Sequence, residues 1–443
     1  MRLNQPAALQ RQRAVYVKIL LSAFAYAPNT GSESGVGWRW ALELARNHEV
    51  YVVTDVTRQP YVEASGVGFP ADLHVVYYRP RWIAWMPLNS FTAQLVFALW
   101  QYGLPFFAKK LHGRQRFDLA IHSTYGVFRH PSFLGTLGIP FIYGPVGGGE
   151  DAPWALKKSI HGWEKVREVT RSLGNQLARL NPFLRFAYSR ATLILATTDE
   201  TRRALPYPAS ERAIVYSNMG VDMPATVPTP RKPGAPMRTL FAGRLLGWKG
   251  AHLAIRAVAQ ALKAGANIEF TLLGKGPYGR ELRRLAAQQG VADKIRWVDH
   301  VPFQEFHAFM QQHHCFLYPS LHDSGGTVVI DAQACGLPVI CLDLGGPGTN
   351  VTTDTAMIVN TARQSEADVV AGLSAALVTL AGDESRRQTM CNAAAEHARK
   401  TMNGEQRVNG ALELVDGLRL TQGCIYDAAG LTEATPERAT RPN

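Results

Sequence analysis

Cysteine is scarce: the chain has five, all at or after position 315, with none in a C-x-x-C pair. An odd count without paired spacing excludes a disulfide framework and zinc-finger spacing, and it suits a reducing cytoplasm. The amino terminus carries scattered arginines and glutamines where a signal peptide needs an apolar run, so export is not expected. Residues 82–108 lack any formal charge and hold Trp82, Trp85 and Trp100, but Pro87 and Pro105 interrupt them. A spanning helix wants about 20 mostly apolar residues, so this stretch reads as an aromatic-rich helix lying in a membrane interface, or else as a buried domain helix.

Acidic residues are also in deficit, 35 against 47 Lys and Arg, which leaves a formal charge of +12. Much of the excess lies at Lys157, Lys158, Lys165, Arg167, Arg171, Arg179, Arg185 and Arg190. Such a balance calls for an anionic partner: nucleotide diphosphates, lipid headgroups or nucleic acid. No recognised RNA-binding motif interleaves these charges, so nucleic acid is not the expected partner.

What is present is a regular alternation of apolar strand patterns with helical patterns over 443 residues. That predicts an α/β protein of two doubly wound, parallel-sheet, Rossmann-like domains facing a cleft. The proline-rich segment 224–236 lacks apolar periodicity and marks the boundary. The expected organisation is a flexible basic terminus (1–14), a first domain (15–223), the linker (224–236) and a second domain (237–404). A helix (405–424) and a disordered tail (425–443) follow.

Residues 315–346 carry the strongest chemistry. A strand ending at Tyr318 runs through a Ser/Gly loop into a helix over Val328–Ala334, then into a buried strand, Pro338–Leu342. Unpaired N–H groups at a helix start attract anions, and Gly325 and Gly326, with Ser324 and Thr327, allow a phosphate close to that backbone. Asp323 is placed to accept from sugar hydroxyls and Asp331 from a ribose diol. The competing reading is an N-capping Asp323 and a solvated Asp331.

This pattern resembles the nucleotide-binding half of retaining glycosyltransferases of family four, the bacterial polysaccharide-type group 1 glycosyltransferases, which have the GT-B fold. Their signature is two glutamates separated by seven residues, then a small-residue helix and Gly-Leu-Pro-Val. Here the spacing and the tail Gly336, Leu337, Pro338, Val339 are kept, while both acids are aspartates, each one methylene shorter. The resemblance implies that Asp323 contacts the donor hexose and Asp331 the ribose.

Residues 240–250, LFAGRLLGWKG, read as a strand, a loop and the start of a helix over Lys249–Lys263. Cations such as Arg244 and Lys249 stabilise a departing diphosphate more in the transition state than in the ground state. The resemblance implies that these two grip the donor diphosphate. Gly274 and Gly276, after the strand Ile268–Leu273, match the family's donor-site loop near the base.

In the first half, a strand over Val17–Ala25 leads into a glycine loop, 28–38, and a helix over Trp38–Arg46. Its spacing is wrong for a dinucleotide fingerprint. The resemblance makes Glu33, Gly35 and Gly37, with Gly31, candidates for contact with donor phosphate or acceptor. His122 ends the strand Phe117–His122, where open α/β sheets place ligand-binding residues, and the family commonly has a histidine there. In YGPVGGGED, Gly148 and Glu150 are further cleft candidates, Glu150 projecting from the loop toward acceptor hydroxyls.

The expected function is retaining transfer of a hexose from a nucleoside diphosphate sugar to a glycan or polyprenyl diphosphate-linked hydroxyl, in surface polysaccharide biosynthesis. No Asp-x-Asp motif lies near these elements, so neither a metal nor another cofactor is expected. The implied location is cytoplasmic and peripheral, at the inner face of the cytoplasmic membrane. A nucleotide-sugar epimerase and a non-catalytic nucleotide-sugar-binding protein are the alternatives, and the donor sugar, nucleotide and acceptor stay open.

Overall fold

A computed structural model describes residues 16–430 apart from 31, 90, 91, 159, 161, 218, 219, 222 and 225–230. The basic terminus, residues 225–230 of the linker, Gly31 and the tail beyond 430 lie outside the described residues.

The first sheet contains β1 (Lys18–Ser22), β2 (Glu49–Asp55), β3 (Leu73–Tyr78), β4 (Leu119–His122), β5 (Phe141–Val146), β6 (Leu193–Ala196) and β7 (Ile214–Val215). They are all parallel, in the order β3-β2-β1-β4-β5-β6-β7. The second sheet is built from β8 (Met237–Ala242), β9 (Ile268–Leu273), β10 (Ile295–Val298), β11 (Cys315–Tyr318), β12 (Val339–Leu342) and β13 (Ala356–Val359). These too are parallel, in the order β10-β9-β8-β11-β12-β13. Segments such as LILA and VICL are buried at every position, because helices cover both faces of a parallel sheet.

Each sheet reverses its strand order once, between β1 and β4 and between β8 and β11. Loops leaving the carboxyl ends of those neighbours splay to opposite faces and open a crevice, the usual ligand position in this architecture. Helices that matter below are α1 (Ser32–Ala45), α2 (Ala93–Gln115), α3 (Trp163–Ala178), α4 (Pro182–Ser189), α5 (Asp199–Ala204), α6 (Ala251–Lys263), α7 (Phe306–Met310), α8 (Thr327–Ala334) and α9 (Gly404–Gly430).

Four expectations change. Strand β1 stops at Ser22, and α1 begins at Ser32, so Gly35 and Gly37 are helical rather than in a loop. Both glycines are there for close packing: a Cβ on Gly35 would lie 2.0 Å from the Thr30 carbonyl oxygen, and one on Gly37 2.5 Å from that of Ala25. From Ala93 the uncharged stretch folds into α2, whose Val96, Phe97, Trp100 and Leu104 lie in the first domain's core with Phe24 and Tyr143. It is a domain helix, and no helix among the described residues is long and apolar enough to cross a membrane. Finally, the last helix extends to Gly430, past the expected 424. Its Val408, Ala411 and Val415 join the cluster of Ile19, Leu21, Val52 and Trp40, so the end of the chain packs on the first domain.

The two chain crossings between domains touch. A Cβ on Gly220 would meet the Gly404 nitrogen at 2.0 Å, and the Val221 N–H donates to the Met402 carbonyl at 2.9 Å. Side chains there are replaced by backbone in contact with backbone.

Candidate active site

At the second switch point, the loops after β8 and β11 lie against each other. Gly250, with φ +77°, permits this, because a Cβ would fall 1.8 Å from the Pro319 carbonyl oxygen. The Leu321 N–H donates to the Trp248 carbonyl at 2.8 Å. The approach carries Lys249 onto Asp323, and the two form an ion pair at the bottom of the loops.

The Tyr318 hydroxyl, at the end of β11, donates to the same Asp323 oxygen at 2.8 Å. Burial works to raise the Asp323 pKa, but the Lys249 ammonium, Tyr318 and the Gly326 N–H together hold it below the ordinary carboxylate value. Asp323 is thus ionised and fixed. The Lys249 ammonium also lies 4.3 Å from the centroid of Trp248, whose ring stacks on His322 at 4.5 Å. An ammonium has three donors, so a single carboxylate oxygen does not exhaust it.

Next to this pair, α8 starts at Thr327 behind Gly326, which sits at φ +56° and where a Cβ would fall 2.8 Å from the Gly346 and Pro347 backbone. Arg244 leaves the end of β8 exposed, and it pairs with no carboxylate among the described residues. Gly274 and Gly276 bring the loop after β9 onto the Arg244 loop. A Cβ on Gly274 would meet the Gly243 oxygen at 2.0 Å, and one on Gly276 the Leu245 oxygen at 2.3 Å. Their role is backbone against backbone, with Leu245 N–H donating to Lys275 O at 3.0 Å. Asp331 lies on the second turn of α8 and accepts from His307 Nε2 of α7 at 3.0 Å. No contact joins it to Asp323, which pairs with Lys249.

The first domain meets these loops through carboxylates. Glu150 does not project into open cleft: it is 1% exposed. It accepts from the hydroxyls of Thr198 and Thr201, both at 2.7 Å, from Gly148 N–H at 3.0 Å and from Ser324 Oγ at 2.5 Å. A buried carboxylate needs several donors, and the start of α5 supplies them. Gly147 makes the junction possible, since a Cβ there would lie 2.6 Å from that of Ser324.

Glu200 accepts from the Gly345 N–H at 3.0 Å. Glu168 Oε1 lies 2.8 Å from His322 Nε2. Burial opposes ionisation of Glu168, yet His322 and Arg171 hold its pKa below the ordinary value.

His122 ends β4 as expected, but it is buried, with Nδ1 3.2 Å from Ser22 Oγ and 3.4 Å from Gln101 Nε2. Burial, then the neighbouring His130, lowers its pKa to about 3, so the ring is neutral near pH 7. Glu33, in the first turn of α1, accepts from Tyr125 N–H at 2.9 Å, and burial raises its pKa. Both tie loops of the first switch point together.

Sequence reasoning missed Tyr318, His307, Trp248, Glu168, His322 and Glu200. The position of Tyr318 at the carboxyl end of a parallel strand was a usable signal. The others carry no local signature, because their partners are far away in the chain.

Residues 225–397 match the family described as Glycosyl transferases group 1. This segment is a group 1 glycosyltransferase domain. The chain is 34% identical over 134 residues to the Escherichia coli K12 protein named "Putative colanic acid biosynthesis glycosyltransferase WcaL", a match covering 29% of this chain and 33% of that one. It spans from a third to about half of the length of the curated relatives it matches.

Among solved structures, sucrose-phosphate synthase from Thermosynechococcus elongatus superposes with a TM-score of 0.63 at 17% identity, over 91% of this chain and 100% of that one. Anabaena HepE in complex with UDP and glucose gives 0.56 at 16% identity, over 90% and 100%. These likenesses show the GT-B fold around the glycosyltransferase domain.

Proposed function

We propose that this chain is a retaining hexosyltransferase. It moves a hexose from a nucleoside diphosphate sugar to a hydroxyl of a glycan or polyprenyl diphosphate-linked acceptor, in surface polysaccharide biosynthesis. The observation that carries this reading is the Lys249–Asp323 pair, held by Tyr318 beside the glycine-capped start of α8 in a glycosyltransferase domain. That places a cation, an ionised hydroxyl acceptor and free helix N–H groups within one crevice.

In the reaction, the bond from the anomeric carbon to the diphosphate oxygen breaks, and a bond to the acceptor oxygen forms on the same face. The acceptor proton passes to the departing diphosphate, so no side-chain base is required. Lys249 and Arg244 stabilise the charge that grows on the diphosphate, while the N–H groups of Gly325 and Thr327, either side of the Gly326 N–H that serves Asp323, hold its oxygens. Asp323 orients the hexose, and Asp331, steadied by His307, accepts from the ribose. Pairing with Asp323 keeps Lys249 charged and aimed before the donor arrives, which limits reorganisation during the step. UDP and glucose in the HepE complex support the donor class. The reaction proceeds without a metal.

The test is turnover of a panel of nucleotide sugars by wild type and Lys249→Ala, with membrane lipid extract as acceptor and with or without chelator. Selective transfer from one donor, retained in chelator and lost in the variant, supports the reading. Saturable donor binding with no turnover points to a non-catalytic protein, and isomerisation without acceptor to an epimerase.

A further inference from the structure

Helix α3 is inside out. Its inward face is polar: Glu168 and Asn175 are buried, and Arg171 reaches the Glu150 carbonyl at 2.6 Å. Its outward face is apolar, for Val166, Val169, Leu173, Leu177 and, just past its end, Leu180 are all exposed, Leu180 at 71%. Spacings of 3, 4, 4 and 3 residues gather these five side chains into an arc of about 80°. A surface helix ordinarily points that stripe at the core.

The stripe continues. Helix α4 exposes Phe183 and Phe186, and the Phe186 ring lies 6.4 Å from Phe133, which lies 5.4 Å from Tyr102 on the outer side of α2. Of the large apolar side chains exposed in the described residues, only Phe303 and Ile358 belong to the second domain. The outward side chains of α3 and α4, continued by Phe133 and Tyr102, therefore form one apolar face on the first domain rather than scattered single exposures.

Its rim is predominantly of one sign. Between 165 and 190 the exposed charges are Lys165, Arg167, Arg179, Arg185 and Arg190, and the one acid in that span, Glu168, is buried against His322. Lys157 and Arg171, counted with this cluster in the sequence, turn inward to Asp151. An unpartnered apolar stripe with a predominantly cationic rim is complementary to an anionic bilayer surface, with apolar side chains entering the headgroup boundary and the cations meeting phosphates.

We propose that the α3–α4 face of the first domain seats this protein on anionic lipid. The inward side of the same helix holds Glu168 against His322 and Arg171 against the Glu150 loop, so the docked surface and the interdomain junction share one rigid element. This deepens the reading above by giving a lipid-linked acceptor a surface to come from, but its test measures lipid binding and not transfer, so the two fail separately.

The full chain is floated with vesicles of phosphatidylcholine alone and of phosphatidylcholine with phosphatidylglycerol. Wild type is expected to rise only with the anionic vesicles and to be released by salt. Leu173→Glu/Leu177→Glu is expected to abolish flotation with an unchanged thermal melt, because both side chains are exposed. Lys165→Gln and Arg185→Gln should each lower partitioning about five-fold. Flotation that is absent, equal on neutral vesicles, or unaffected by the leucine pair overturns the proposal. So does sedimentation equilibrium showing a dimer that the leucine pair dissociates, since a second copy would then cover the face.

Discussion

Ser324 donates its hydroxyl to Glu150 across the interdomain junction at 2.5 Å, while the Gly148 N–H donates back to Ser324 at 2.8 Å. The loop proposed to hold the donor diphosphate is thus fastened to the first domain by a buried carboxylate. Glu150→Ala leaves the hydroxyls of Thr198, Thr201 and Ser324 without their acceptor, and a loss of about 1–3 kcal/mol is expected. Glu150→Gln should recover most of it, because the hydroxyls can turn to accept from the amide. Urea denaturation of the two variants checks this, and equal losses would show that the hydrogen bonds are not what Glu150 supplies.

Lys249→Ala is expected to lower kcat by about 10²–10³, the range for losing one preorganised contact to developing charge. It should also free Asp323 from the ammonium that holds its pKa down. In a stability cycle with Asp323→Asn, the two changes should be non-additive by roughly 0.5–3 kcal/mol, as for groups in direct contact. Additive losses would separate the pair energetically.

Gly147→Ala puts a methyl 2.6 Å from the Ser324 Cβ, a distance no packing accommodates without movement. The methyl also comes 2.9 Å from the Thr197 hydroxyl, but it reaches no apolar core side chain, so the expected result is a large fall in donor turnover with a smaller change in melting temperature. Small-angle scattering should show a more open particle. An unchanged profile with full turnover would mean that the junction adjusts locally.

His122 gives a pH dependence with a defined sign. Its pKa is lowered to about 3 in the folded chain, against an ordinary value of 6.5. Between those values the unfolded chain binds a proton that the folded one does not, so stability must fall as pH falls. The slope from this group is at most about 1.4 kcal/mol per pH unit. Comparing wild type with His122→Gln by chemical denaturation at several pH values isolates it, and parallel curves from pH 6.5 to 4 would contradict the burial.

Asp331→Asn keeps the shape of the side chain but removes its charge beside His307. If Asp331 accepts from the ribose, donor KM should rise by about ten-fold with kcat nearly unchanged, the signature of lost uniform binding. A fall in kcat alone would place Asp331 elsewhere in the reaction.

The sequence made the fold legible where physics is local. Continuous apolar runs located β9, β11 and β12 within a residue or two, because buried parallel strands need such runs whatever surrounds them. It misplaced α1, since Gly35 and Gly37 look like loop residues until the carbonyls of Thr30 and Ala25 are known to press against them. Residues 82–108 are ambiguous in sequence for the same reason: an uncharged aromatic stretch reads alike whether lipid or core covers it, and here Phe97 and Trp100 are buried while Trp85 and Phe106 are exposed.

By itself, the sequence determined the two parallel-sheet domains, the loops that end at their switch points, and the residue types that could meet a diphosphate and a sugar. Tertiary structure alone decided that Lys249 meets Asp323 and Glu150 meets Ser324, partners 74 and 174 residues apart. It also turned the polar face of α3 inward and its leucines out. Periodicity fixes which side chains share a face; what that face meets depends on elements brought together only when both sheets have closed.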